Sequence, residues 1–254
     1  MATDVHIRNA RLDDAPICAA LLRLSFPSER VADTIFGLGD PGRARKALRA
    51  FFMRDANRFS YEFAMVAEVG GRVVGMLLGY ESRRIRRLNF NMALQAPFVY
   101  GLRGAFRVAL HSGSLVFAIP KPGPGKFYIE HVAVLPAWRR RGIGMKLLAA
   151  AEERARAAGL AKCSLDVELS NVDARRLYER LGYRHVSTHI LQGEARRCGI
   201  GGLLRMVKTL SQSSHLCRAL PVTIEKAKMA TDGYSRGSCA ADAGAPDNTR
   251  TRHN

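Results

Sequence analysis

The stretch "WRRRGIGMKLLAAAEERARAAG", residues 138–159, sets three arginines against Gly-Ile-Gly and runs straight on into alanine-rich chain. Ile143, Leu147, Leu148, Ala151 and Ala155 recur at helical spacing, which predicts a helix from about Gly142 to Ala158, stopped by Gly159. Immediately upstream, "KFYIEHVAVLP" (126–136) has the pattern of a central strand. Strand, basic turn and helix then form one unit. A helix start offers backbone N–H groups without internal partners and the positive end of the helix dipole, which together make an anion seat. Gly142 and Gly144 let the backbone approach a bulky pyrophosphate, and Arg139, Arg140 or Arg141 can add charge-assisted hydrogen bonds. A basic turn ahead of a surface helix is the plainer alternative. Two other phosphate motifs are absent. There is no G-x-x-x-x-G-K-[ST], and Leu147 stands where a dinucleotide fingerprint needs its third glycine.

Working outward, "VHIRNARLDDAPICAALLRLSF" (5–26) predicts a strand, a polar turn and a helix, with Asp13 and Asp14 suited to the helix start. Residues 41–58 predict a basic helix with Pro41 in its first turn. "YEFAMVAEV" (61–69) and "RVVGMLLGYES" (72–82) are two strands joined by Gly70-Gly71 as a hairpin. Downstream come a strand, "AKCSLDVEL" (161–169), and a helix, "SNVDARRLYERLG" (170–182), followed by two late strands within 183–191 and 201–210. From about Ser211 to Asn254 the chain turns small and polar, and is expected to be a disordered tail behind one domain of residues 1–210.

Residues 83–126 form a basic and apolar insertion, expected to be helical in pieces because Pro97, Gly101, Gly104 and Gly113 interrupt it. Packing on the core, a lid, a dimer surface and an amphipathic contact with a membrane surface are all open to it. No acid lies between Glu81 and Glu130. The whole chain carries a net charge of +18. Such a field favours polyanions: nucleic acid, an anionic membrane face, or phosphorylated cofactors. No stretch is long enough for a membrane span, and the opening residues lack the apolar run of a signal peptide. Five scattered cysteines without C-x-x-C spacing then imply reduced thiols, no metal site and a cytoplasmic setting, with Cys18 and Cys163 as small core residues.

Two motifs in this order carry a resemblance. "VAVLPAWRRRGIGMKLL" (132–148) followed by "LDVELSNVDARRLYERLGYR" (165–184) resembles the GCN5-related N-acetyltransferase (GNAT) family. Arg139, Gly142 and Gly144 match its R/Q-x-x-G-x-G/A loop. Asn171, Ala174, Leu177, Tyr178, Gly182 and Tyr183 match its downstream pattern. The likeness spans roughly residues 5–209 and is strongest over 128–185. It implies an α/β fold, a mixed twisted sheet with helices on both faces. It also implies transfer of an acetyl group from acetyl-CoA to a primary amine by direct attack, without a metal. The acceptor, whether small amine, amino acid, or protein lysine or N-terminus, is left open.

The resemblance further implies that two parallel strands splay apart to admit the cosubstrate, with Val132, Ala133 and Val134 on the exposed edge. It assigns the pyrophosphate to the loop from Arg139 through Arg140, Arg141, Gly142, Ile143, Gly144 and Met145, and makes Tyr178 the acid that protonates the leaving thiolate. Candidates for the base are Glu130, Asp166, Glu168 or water. Glu130 is expected to share a strand face with Val132 and Val134, leaving His131 as a structural residue on the other face. Asn171 either bonds the cosubstrate or caps a helix. Trp138 either packs on the adenine side of the cosubstrate or is a surface aromatic. A homodimer is compatible with the chain. An acyl-CoA-binding module without turnover is the rival function, and nucleic-acid binding through the insertion lacks a supporting motif.

Overall fold

A computed structural model describes residues 4–118 and 122–211. Gly70 and Gly71 both take positive φ, +53° and +76°, and turn strand β2 (Ala64–Val69) into β3 (Arg72–Glu81) as the glycine pair predicts. Around this hairpin the described residues build a seven-stranded mixed sheet in the order β1-β2-β3-β4-β5-β7-β6. β1 is His6–Asn9, β4 Phe127–Val134, β5 Lys162–Glu168, β6 Arg184–Ile190 and β7 Gly202–Thr209. Only β4 and β5 run parallel, and the helix predicted from the Arg-Gly turn, α5 (Ile143–Ala157), makes the crossover between them.

Helices cover both faces. On one side lie α1 (Ala15–Ser25), α2 (Glu29–Gly37) and α3 (Pro41–Phe52), whose Leu21, Leu22, Val31, Leu48, Phe51 and Phe52 are fully buried against Val66, Met76 and Leu78 of the sheet. The other face receives α5 through Ile143, Leu147, Leu148, Ala151 and Ala155, the five positions picked out by helical spacing, and α6 (Val172–Arg180) through Ala174, Leu177 and Tyr178. Cys18 and Cys163 are buried, one in each core. The chain entry is tied down by charge: Arg8 on β1 bonds Asp14 at 2.7 and 3.0 Å and Glu68 at 2.7 Å. Burial alone would raise the Asp14 carboxyl, but the Arg8 and Arg11 contacts outweigh it and hold it below the ordinary value.

Three features go beyond what the sequence alone indicated. Residues 26–40 hold α2, closed by Leu38 in the left-handed region at φ +55°. The insertion is helical in pieces as expected, but it breaks at Gly101 and not at Pro97 or Gly104. It forms α4 (Ile85–Ala118), interrupted only at Gly101 (φ +70°, ψ 164°), with Pro97 and Gly104 inside helical chain. Packing of Ile85, Leu88, Met92, Ala96, Val99 and Tyr100 on the α1–α3 core overrides local propensity there. The late strands are not in chain order, since β7 inserts between β5 and β6. Residues 119–121 of the insertion and 212–254 of the expected tail lie outside the described residues.

Candidate active site

β4 and β5 pair over only three residues each, Phe127–Ile129 against Cys163–Leu165. Beyond Ile129 and Leu165 the two strands part. The β5-facing backbone edge of Val132, Ala133 and Val134 then has no strand partner among the described residues. A cleft of about 1620 Å³ opens at the parting, and its lining includes both strands, the Arg-Gly loop, the start of α5 and the inner face of α6.

The Arg-Gly loop ends this cleft as an amide cradle. Arg140 and Gly142 both adopt left-handed backbone, φ +59° and +78°, and curl the chain into the helix start. The first hydrogen bond of α5 runs from Lys146 N to Gly142 O at 3.1 Å, so the amides of Ile143, Gly144 and Met145 have no acceptor among the described residues. A Cβ on Gly144 would meet nothing nearer than Leu177 Cδ2 at 3.8 Å. The protein's own packing therefore does not require glycine there. Arg139 donates through Nε to Val134 O at 3.1 Å, which ties the loop to the strand end. Arg140 also lines the cleft, whereas the Arg141 guanidinium sits over the Trp138 ring, 4.9 Å from its centroid. Three free amides, a helix dipole and adjacent arginines suit a pyrophosphate, and an unpaired strand edge suits the amides of a pantetheine arm.

Glu130 is not where simple alternation puts it. The β3–β4 register jumps from Leu78↔His131 to Gly79↔Ile129, so Glu130 is the extra residue of a β-bulge. The bulge turns Glu130 toward the same side as His131, away from Val132 and Val134. Its carboxylate meets the Tyr80 hydroxyl and the Arg58 guanidinium there. Asp166, on β5, is held in the same manner. Arg205 donates to it twice at 2.8 Å and the Tyr128 hydroxyl donates once at 3.0 Å. Both carboxylates line the cleft, with side chains 6% and 7% exposed. Glu168 is turned to its own helix entry, accepting from Ser170 N and Oγ.

His131 is buried between Phe26 and Phe59, with ring centroids 4.8 and 5.5 Å away. Ser25 Oγ gives its proton to Leu22 O at 2.6 Å, so it accepts from His131 Nδ1 at 2.8 Å. That fixes the neutral tautomer with its lone pair on Nε2. Desolvation, aided by Arg58, pushes the imidazole down to about 3.

Across the cleft, Tyr178 projects from α6, and its apolar surroundings push the phenol up to about 12. Among the described residues its hydroxyl has no partner. Asn171 caps α6, accepting from Ala174 N at 3.1 Å, which is the capping alternative of the two expected for it. The sequence had not singled out Arg58, Tyr80, Tyr128 or Arg205. Tyr80 and Tyr128 occupy buried strand positions, where a phenol requires a partner, and that requirement was the available sign. Among the described residues no three His, Cys, Asp or Glu side chains form a metal-binding group, and no helix is long and apolar enough to cross a membrane.

Solved and curated proteins resemble this chain in fold or in sequence. An N-acetyltransferase from Staphylococcus aureus Mu50 superposes with a TM-score of 0.62 at 20% identity, covering 79% of this chain and 98% of that one. The chain is 36% identical over 88 residues to aminoalkylphosphonate N-acetyltransferase of Salmonella typhimurium, covering 31% of this chain and 56% of the relative. It is 28% identical over 129 residues to the chloroplastic GCN5-related N-acetyltransferase 4 of Arabidopsis thaliana, covering 48% of this chain and 42% of the relative. The chain thus spans about half the length of the curated relatives it matches. The sequence profile of the acetyltransferase (GNAT) family matches residues 32–183, and with its parted parallel strands and its amide cradle the chain belongs to that family.

Proposed function

We propose that this protein moves an acetyl group from acetyl-CoA to a primary amine by direct attack. The observation that carries the proposal is the parting of β4 and β5 directly ahead of a helix start with three unpartnered amides. Acetyl-CoA supplies the activated acyl carbon when bound. The chain's own residues do the rest. The amides of Ile143, Gly144 and Met145 with Arg139 and Arg140 hold the pyrophosphate. The free edge Val132–Val134 pairs with the pantetheine arm and points N–H donors at developing negative charge on a carbonyl oxygen. Glu130, at the point of divergence, takes the ammonium proton directly or through one water. Tyr178 keeps its proton at neutral pH and offers it where a departing thiolate needs one.

The acceptor end of the cleft argues for an amine on an apolar body. Its wall is made by Phe26, Phe36, Phe51, Phe59, Met92 and Tyr100, and both nearby carboxylates already face an arginine. A polycationic acceptor would find little spare negative charge there. The test is calorimetric titration with acetyl-CoA, followed by a free-thiol release screen with apolar primary amines beside spermidine and aminoalkylphosphonates. Micromolar binding and faster release with the apolar amines are expected. Binding with no thiol release from any amine would reassign the chain to an acyl-CoA-binding module, and no binding at all would remove the acetyl-transfer proposal.

A further inference from the structure

Helix α4 is apolar on two opposite faces, and only one of them is used. At 100° per residue, Ile85, Leu88, Met92, Ala96 and Val99 fall on one side and pack on the α1–α3 core. Phe90, Leu94 and Phe98 fall on the far side, 64%, 57% and 78% exposed. After the break at Gly101 the pattern resumes with Leu102, Phe106 and Leu110, 79%, 65% and 70% exposed. Six large apolar side chains in water, three on each of the two helical segments that meet at Gly101, are far outside the scatter of single exposed residues on an ordinary surface.

The charges beside them select the occupant. Arg86, Arg87, Arg103 and Arg107 are exposed and make no ion pair among the described residues. The sequence holds no acid from Ser82 to Ile129 to neutralise them. A second copy laid on this stripe would bring arginine against arginine. Nucleic acid would accept the arginines but not six desolvation-seeking Phe and Leu side chains. An anionic lipid surface satisfies both, taking the apolar side chains at the level of the acyl chains and the guanidinium groups among the phosphates. We propose that the exposed face of α4 docks the protein on anionic membrane surfaces. The same helix walls the acceptor end of the cleft through Met92, Ala96 and Tyr100, so docking would set that end beside the lipid.

The experiment is co-sedimentation of the full chain with vesicles of phosphatidylcholine alone and of phosphatidylcholine mixed with phosphatidylglycerol. It compares the parent with a Phe98→Asp, Leu102→Asp, Phe106→Asp variant and an Arg103→Ala, Arg107→Ala variant. Unchanged circular dichroism and thermal midpoint certify the folding of each, and analytical ultracentrifugation reports self-association. Expected is partitioning onto the anionic vesicles at least about tenfold above the neutral ones, lost by about tenfold or more in the triple variant, reduced in the arginine variant, and weakened by salt. Failure to sediment with anionic vesicles overturns the proposal. So does sedimentation that the triple variant leaves unchanged, since the overall charge of the chain would then be the cause. A concentration-dependent dimer that the triple variant abolishes, without vesicle binding, assigns the stripe to a second copy instead.

Discussion

The rings of Tyr80 and Tyr128 meet edge to face with centroids 6.3 Å apart, and their hydroxyls serve different carboxylates, Glu130 and Asp166. Each carboxylate also holds its own arginine, Arg58 or Arg205. Two similar phenol–carboxylate–guanidinium sets thus stand side by side where the strands diverge. They differ in geometry. Asp166 sits on a regular strand and receives a two-pronged grip from Arg205. Glu130 sits on a bulge, although both residues stand at the first position past the last β4–β5 pair.

That difference separates the effects of two isosteric substitutions. Glu130→Gln should lower kcat by about 10²-fold or more while leaving acetyl-CoA affinity within about threefold, because it removes a proton acceptor. Asp166→Asn should break the buried two-pronged ion pair with Arg205 and cost about 3 kcal/mol of stability. Its kcat, measured on the folded fraction, should fall much less. Urea unfolding together with steady-state thiol release checks both, and a reversed ranking would exchange their roles.

Tyr178→Phe should lower kcat by about tenfold or more with little change in acetyl-CoA affinity, since the hydroxyl has no structural partner to lose. Because the phenol is pushed up to about 12 by its apolar surroundings, the acid form persists through the ordinary tyrosine range. The rate should therefore show no Tyr178-dependent fall between pH 9 and about pH 11 in the parent. A pH–rate profile of parent and variant reads this directly.

His131 makes folding acid-sensitive. In the folded chain it stays neutral down to about 3, whereas in the unfolded chain it binds a proton below its ordinary value near 6.5. Between those limits the unfolded state carries the extra proton. Stability from this group is complete above about pH 6.5 and falls as pH drops, by about 1.4 kcal/mol per pH unit at most. His131→Gln should flatten the slope of unfolding free energy against pH between about 6 and 4 by an amount of that order, as measured by denaturant titration at each pH.

Arg139→Ala should weaken acetyl-CoA binding by about tenfold or more, through loss of a charge-assisted contact and of the Nε bond to Val134 O. Arg141→Ala should change it far less, because that guanidinium is turned over Trp138 and away from the cleft. Calorimetry on the two variants separates Arg139 from Arg141, which the sequence could not.

The fold was legible where periodicity and punctuation agree. The glycine pair at 70–71, the helical spacing from Ile143 to Ala155 and the Arg-Gly turn all lie where their chemistry puts them. What the sequence hid is long-range or depends on one irregular residue. The bulge at Glu130 leaves no mark in "YIEHVAV" and reverses the face on which its side chain stands. Arg58 and Arg205 lie 72 and 39 residues from the carboxylates they hold, so no local window contains both partners. α4 was underread because Pro97 and Gly104 weigh against helix locally, while burial of one side over four turns weighs more.

The three-rung seam between β4 and β5 also has a geometric meaning. Along this line the backbone ladder joining β1–β4 to β5–β7 is only three rungs long, and the core beneath α5 spans both sides of it. The angle at which the strands leave Phe127–Ile129 and Cys163–Leu165 therefore fixes the distance between Val134 and Glu168, as the angle at a fork fixes the gap between its tines. Side chains packed at the fork, Cys163 and Leu165 among them, thereby set the width of a cleft whose far end they do not reach.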